Sequence, residues 1–82
     1  MHREKIFDTI TILISERFGT DRATLTLETR QSDIQLDSML LVDLMMDLEE
    51  SLGVRLEDLD LPKHPRLADI VELVERNVKT DL

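Results

Sequence analysis

An aspartate and a serine stand side by side at Asp37-Ser38, directly ahead of an apolar-rich run from Met39 to Leu48. Both are helix-capping types, because a short side-chain oxygen can accept one of the free N–H groups of a first helical turn. A serine in that place has a second use. Esterified with a phosphate, its oxygen would set negative charge at a helix N-terminus, where free N–H groups and the macrodipole favour an anion.

The run that follows is apolar on more sides than burial requires. At about 100° per residue, Leu41, Leu44, Met45, Leu48 and Leu52 share one arc, while Met39, Val42 and Met46 form a second arc roughly 130° away. Asp43, Asp47 and Glu50 border the second arc, Glu49 lies between the two, and Leu40 points to yet another side. Carboxylates interleaved with apolar residues are costly to bury unpaired. The second arc therefore reads as a docking face, with adaptable methionines at its centre and carboxylates at its rim.

Other chemistries have little to work with. There is no cysteine, hence no disulfide, thiolate metal site or thiol nucleophile, which fits a reducing compartment. His2 and His64 are the only histidines and have no third convergent ligand, so no zinc site is expected. Glu57, Asp58 and Asp60 lack the spacing of a calcium loop and read as a solvated turn. There is no glycine-rich phosphate loop and no Ser-His-Asp arrangement, and Ser38 has no base near it in sequence. No catalytic residue and no metal ligand is assigned, and the chain is not read as an enzyme.

The charge is −8, which disfavours nucleic acid as a partner because phosphates would be repelled. Its distribution says more. Residues 37–61 hold Arg55 alone against eight acids, whereas the flanking segments are close to balanced. Acidic density around one segment suits a face that steers basic partners.

The elements that must position these residues follow from periodicity. Ile6, Phe7, Ile10, Leu13, Ile14 and Phe18 predict a first helix over about 3–18, closed by Gly19. Residues 19–36 have no sustained period and read as a long ordered loop pinned by Leu25, Leu27 and Ile34. A second helix is expected over about 37–52, ending at Gly53, then a short third helix over about 57–61 before Pro62. Pro65 suits the first position of a last helix, about 65–79, whose core face is Leu67, Ile70, Val71, Val74 and Val78. The expected fold is all-α, a small four-helix bundle of three main helices and one short one, forming a single domain over residues 1–82. Its apolar runs are too short to span a membrane and no signal-peptide layout opens the chain, so a cytoplasmic, soluble monomer is expected.

In this order, the parts resemble the acyl carrier protein family over nearly the whole chain. The matching residues are Phe18-Gly19, the stretch Asp33-Ile34-Gln35-Leu36-Asp37-Ser38-Met39, the apolar helix running to Glu49-Glu50, Glu57 to Leu61, and Leu67 to Val78. The resemblance implies that Ser38 is the attachment point for 4'-phosphopantetheine, moved from coenzyme A by a phosphopantetheinyl transferase. Asp37 matches the aspartate implicated in recognition by that enzyme. The prosthetic thiol would carry acyl groups as thioesters to the loading and processing enzymes of fatty-acid, polyketide or related biosynthesis. By the same resemblance Met39, Val42 and Met46 match apolar recognition positions, and Asp43, Glu49 and Glu50 match acidic positions that meet basic docking patches. Gln35 stands where the family has glycine, and Leu40 where fatty-acid carriers have an acid, an oilier docking face that suits a specialised carrier. A type II peptidyl or aryl carrier shares the fold and the serine. A helical adaptor that docks through the same face without modification is the rival from outside the carriers.

Overall fold

The computed structural model describes residues 2–34 and 36–80. Three helices form, α1 (Arg3–Phe18), α2 (Ser38–Leu52) and α3 (Leu67–Thr80), with two short 3-10 turns at Arg22–Thr24 and Gln31–Ile34 in the loop between α1 and α2. The all-α bundle is as expected from periodicity, and the bounds of α1 and α2 fall within a residue of those expected.

Both of the first two helices stop where glycine allows a left-handed turn. Gly19 takes φ 70° and donates its N–H to the Ser15 carbonyl, and Gly53 takes φ 64° and donates to the Glu49 carbonyl. The core is built from Ile6, Ile10 and Ile14 of α1, Leu44, Met45 and Leu48 of α2, and Leu67, Ile70, Val71, Leu73 and Val74 of α3. Six β-branched residues in α1 lower its intrinsic helix propensity. Burial of three isoleucines against the other two helices offsets this, at roughly 1.5–3 kcal/mol for each fully buried side chain. Thr11 is buried on the same helix and keeps its hydroxyl satisfied, donating to the Asp8 carbonyl at 2.9 Å and accepting from Arg22 Nε at 3.2 Å.

The long loop is anchored as anticipated by Leu25, which is buried, and by Ile34, which packs on the core; Leu36 is buried beside them. Leu27 departs from expectation and stays exposed. What fixes that part of the loop is backbone, since the Leu27 and Thr29 carbonyls accept the N–H groups of Ala68 and Leu67, each at 2.9 Å. Those donors open α3 and have no partner within the helix. Arg30 and Arg66 form an isolated antiparallel bridge at the same place. The loop thus serves as the cap of α3.

The last helix begins two residues later than Pro65 suggested. Asp69 accepts the Arg66 N–H at 2.8 Å, setting the start at Leu67, while the Pro65 carbonyl is taken by the Gln31 N–H at 2.9 Å. The Asp69 carboxyl is held below the ordinary aspartate value of 3.8 by that backbone N–H and by the Arg66 side chain, against partial burial, which acts the other way.

The short helix expected over 57–61 does not form, and residues 54–62 run without helical structure. In a helical turn the Asp58 carbonyl would accept from the residue four positions on, which is Pro62 and has no N–H. Asn77 of α3 supplies the missing partner. Its side-chain amide donates to the Asp58 carbonyl at 2.8 Å and accepts the Asp58 N–H at 2.9 Å, while the Arg76 guanidinium donates to the Asp60 carbonyl at 2.7 Å. The segment is clasped to α3 by polar side chains.

Two outcomes test this account. Asn77→Ala removes the clasp from a buried site and should destabilise the fold by roughly 1–3 kcal/mol, read from urea midpoints, with faster amide exchange at Asp58. Because Asp69 is depressed in the folded state, the stability it contributes is present above its unfolded value and is lost as pH falls through the folded one. Asp69→Asn, which keeps an acceptor for the Arg66 N–H, should therefore lose less stability than wild type on acidification through the carboxylate range.

Candidate functional site at the head of α2

The head of α2 is built by Asp37. Its backbone is extended, its carboxylate accepts the Leu40 N–H at 2.9 Å, and its carbonyl accepts the Leu41 N–H at 2.8 Å. With the capping performed by Asp37, Ser38 becomes the first helical residue and its side chain is exposed. No hydrogen bond joins its hydroxyl to another described residue. The first-turn N–H groups around it point out of the helix end, which is where an anion on the Ser38 oxygen would lie.

Two hollows flank Ser38. One lies toward the 59–65 segment and is lined by Gln31, Leu41, Leu59, Leu61, Pro62, Lys63, His64 and Pro65. The other lies along α2 and is lined by Met39, Val42 and Asp43. His64, remote in sequence, thus comes to the same hollow as Ser38, although no hydrogen bond connects the two. Further down α2 an apolar groove of about 120 Å³ runs between the helix and the clasped segment, lined by Leu41, Val42, Met45, Met46, Glu49, Leu59 and Leu61.

The two arcs predicted on α2 separate as expected. Leu44, Met45 and Leu48 are buried, with Leu41 and Leu52 packed partly against them. Met39, Val42 and Met46 are 79%, 55% and 61% exposed, so this face is unpartnered among the described residues. Leu40 differs from that group, because it is half-buried against the core.

The acids also divide. Asp43 and Glu50 are exposed and free of ion pairs among the described residues. Asp47 is paired with Arg17 of α1. Glu49 is half-buried, and its carboxylate accepts the Leu56 N–H at 3.2 Å, which ties down the chain leaving α2. Gln35, noted above for standing where a glycine was expected, lies outside the described residues. Among the described residues no three His, Cys, Asp or Glu side chains converge as a metal site would require.

Sequence reasoning missed Leu59 and Leu61 as groove residues, and Lys63 and His64 as neighbours of Ser38. A signal for the first pair was present, since Asp58-Leu59-Asp60-Leu61 alternates with the period of extended chain, not of helix. Nothing local announced the second pair, because the hollow is closed by the return of the chain.

Comparison with known proteins bears on this arrangement. Residues 8–74 match the family model described as a phosphopantetheine attachment site. The chain is 40% identical over 77 residues to an acyl carrier protein of Thermotoga maritima, covering 93% of this chain and 95% of that protein. It is 38% identical over 76 residues to an acyl carrier protein of Lactobacillus johnsonii, covering 92% of this chain and 95% of the relative. An acyl carrier protein of Coprothermobacter proteolyticus is 31% identical over 81 residues, 98% of this chain and 99% of its own length.

Proposed function

The chain belongs to the acyl carrier protein family, a family of carriers rather than catalysts that bears 4'-phosphopantetheine, and on that premise we propose that Ser38 is the attachment residue. The observation that carries this reading is the division of labour at the head of α2, where Asp37 does the capping and leaves the Ser38 hydroxyl exposed at the first helical position. When attached, the group supplies the thiol that this cysteine-free chain lacks and carries acyl units as thioesters.

The residues present fit such a group. The Ser38 oxygen is accessible to a phosphopantetheinyl transferase, and a phosphodiester formed on it gains from the macrodipole of α2. Asp37 fixes the turn that presents it. Met39, Val42 and Met46 form the apolar centre of the docking face, and methionine lets that face repack against different enzymes. Asp43 and Glu50 are its steering charges. Glu49 holds a lesser share of that role because its carboxylate is engaged by the Leu56 N–H. Leu40 contributes an edge, since much of its side chain already lies against the core. Because the relatives the chain matches are acyl carrier proteins, the reading favours an acyl carrier serving fatty-acid, polyketide or related biosynthesis over a peptidyl or aryl carrier. The partners are the transferase and acyl-loading and acyl-processing enzymes with basic docking patches. A cytoplasmic monomer completes the proposal, and the absence of cysteine supports a reducing setting. No described helix is long and apolar enough to cross a membrane.

Incubation with coenzyme A and a broad-specificity phosphopantetheinyl transferase should raise the intact mass by one phosphopantetheine, and Ser38→Ala should abolish the gain. No gain under conditions that load a control carrier would restore the unmodified adaptor. Docking has its own test. Asp43→Lys and Glu50→Lys should each slow association with a cognate enzyme on the order of 2- to 5-fold at low salt, converging with wild type as salt rises. The helical circular-dichroism signal should not change in either variant.

A further inference from the structure

The two hollows at Ser38 differ in charge. The one along α2 offers Met39, Val42 and Asp43, a carboxylate with no cation. The one toward the 59–65 segment is lined by the apolar Leu41, Leu59 and Leu61 together with Gln31, Lys63 and His64. Most arginines of this acidic chain are occupied by carboxylates, as with Arg17 and Asp47, Arg66 and Asp69, and Arg76 and Asp58. Lys63 and His64 pair with no carboxylate among the described residues. Their turn is nevertheless fixed. His64 has φ 56°, in the left-handed region that histidine tolerates better than most residues. Its carbonyl accepts the Arg30 guanidinium at 3.2 Å, and the next carbonyl, of Pro65, accepts the Gln31 N–H at 2.9 Å.

We propose that the Lys63-His64 turn is an anion seat that draws the phosphodiester on Ser38 to its own side and so sets the direction in which the prosthetic arm leaves the protein. The inference rests on Ser38 being the attachment residue. A phosphodiester carries a full negative charge over the whole range in which a protein like this is folded. On the Ser38 oxygen it can swing toward either hollow. On one side Asp43 repels it; on the other the Lys63 ammonium attracts it, and the His64 ring and Gln31 amide offer N–H donors. The arm would then start on the side of Leu59 and Leu61, leaving Met39 and Val42 uncovered for partners. An exposed pair of this kind is weak, so the seat biases the arm without locking it, as a carrier that must release its arm to enzymes requires.

The experiment compares nitrogen-labelled protein before and after full loading from coenzyme A, with loading followed independently by intact mass. The amide resonances of Gln31, Lys63 and His64 should shift on loading together with those of Ser38 and Met39. The phosphorus resonance of the loaded protein should narrow in the Lys63→Gln, His64→Gln double variant, as the released phosphodiester gains motion. Full loading with the amides of Gln31, Lys63 and His64 unmoved, or a phosphorus line unchanged in the double variant, overturns the seat and leaves the attachment standing. No mass gain overturns the attachment reading, and the seat with it.

Discussion

Backbone amides that no helix satisfies are the constraint on which this structure turns. Two long stretches, the described residues of 19–36 and residues 54–66, lie outside the α-helices, and buried or half-buried peptide groups in them need partners. The third helix provides them at both of its ends. Its opening N–H groups take the Leu27 and Thr29 carbonyls, and near its other end Asn77 and Arg76 take up the backbone of Asp58 and Asp60. Neither exchange is large, with about 1 kcal/mol net for each bond. Their value is positional, because the two stretches they hold meet in one hollow beside Ser38, where Gln31 stands with Leu59, Leu61 and His64. Asp37 sets Ser38 at the head of its helix, and α3 holds the chain that surrounds it.

Charge is arranged around the same site with some economy. The acids of α2 are not equivalent, although their spacing in sequence makes them look so. Asp47 is spent on Arg17 and Glu49 on the Leu56 N–H, both of which brace α2. Asp43 and Glu50 are left to act on the surroundings. The net charge of the 37–61 segment thus overstates the field a partner meets, and two carboxylates flanking three exposed apolar side chains describe it better. On the docking role proposed for it, a face with that composition would attract from a distance through charge and bind at short range through Met39, Val42 and Met46.

Much of this was readable from the residues, for identifiable reasons. Helical periodicity separated the buried and exposed arcs of α2 because each residue's bearing on a helix is fixed by geometry. Gly19, Gly53 and Asp37 marked helix ends because their effects are local. The errors share one origin. Leu27 stays exposed where its spacing predicts an anchor, residues 57–61 run without the expected helix, and each is decided by what lies across from it in space. Pro62 alone could have warned against the short helix, since it removes the donor that the Asp58 carbonyl would need. The hollow shared by Ser38, Lys63 and His64 was beyond local reasoning, as it exists only once the chain turns back through Arg30 and Gln31.

Asn77 grips Asp58 through the main chain, and that has a consequence for how the protein can change over time. The bond that matters asks of position 58 only that it have an N–H and a carbonyl, which every residue but proline provides. The Asp58 carboxylate does meet Arg76 at 3.3 Å, but on the surface, where such a pair is worth little. Side chains from 57 to 60, among them Leu59 of the groove wall, are therefore open to drift while the backbone stays in place. A lineage could widen, narrow or recharge the groove beside α2 by single substitutions at Leu59 without first rebuilding the bundle.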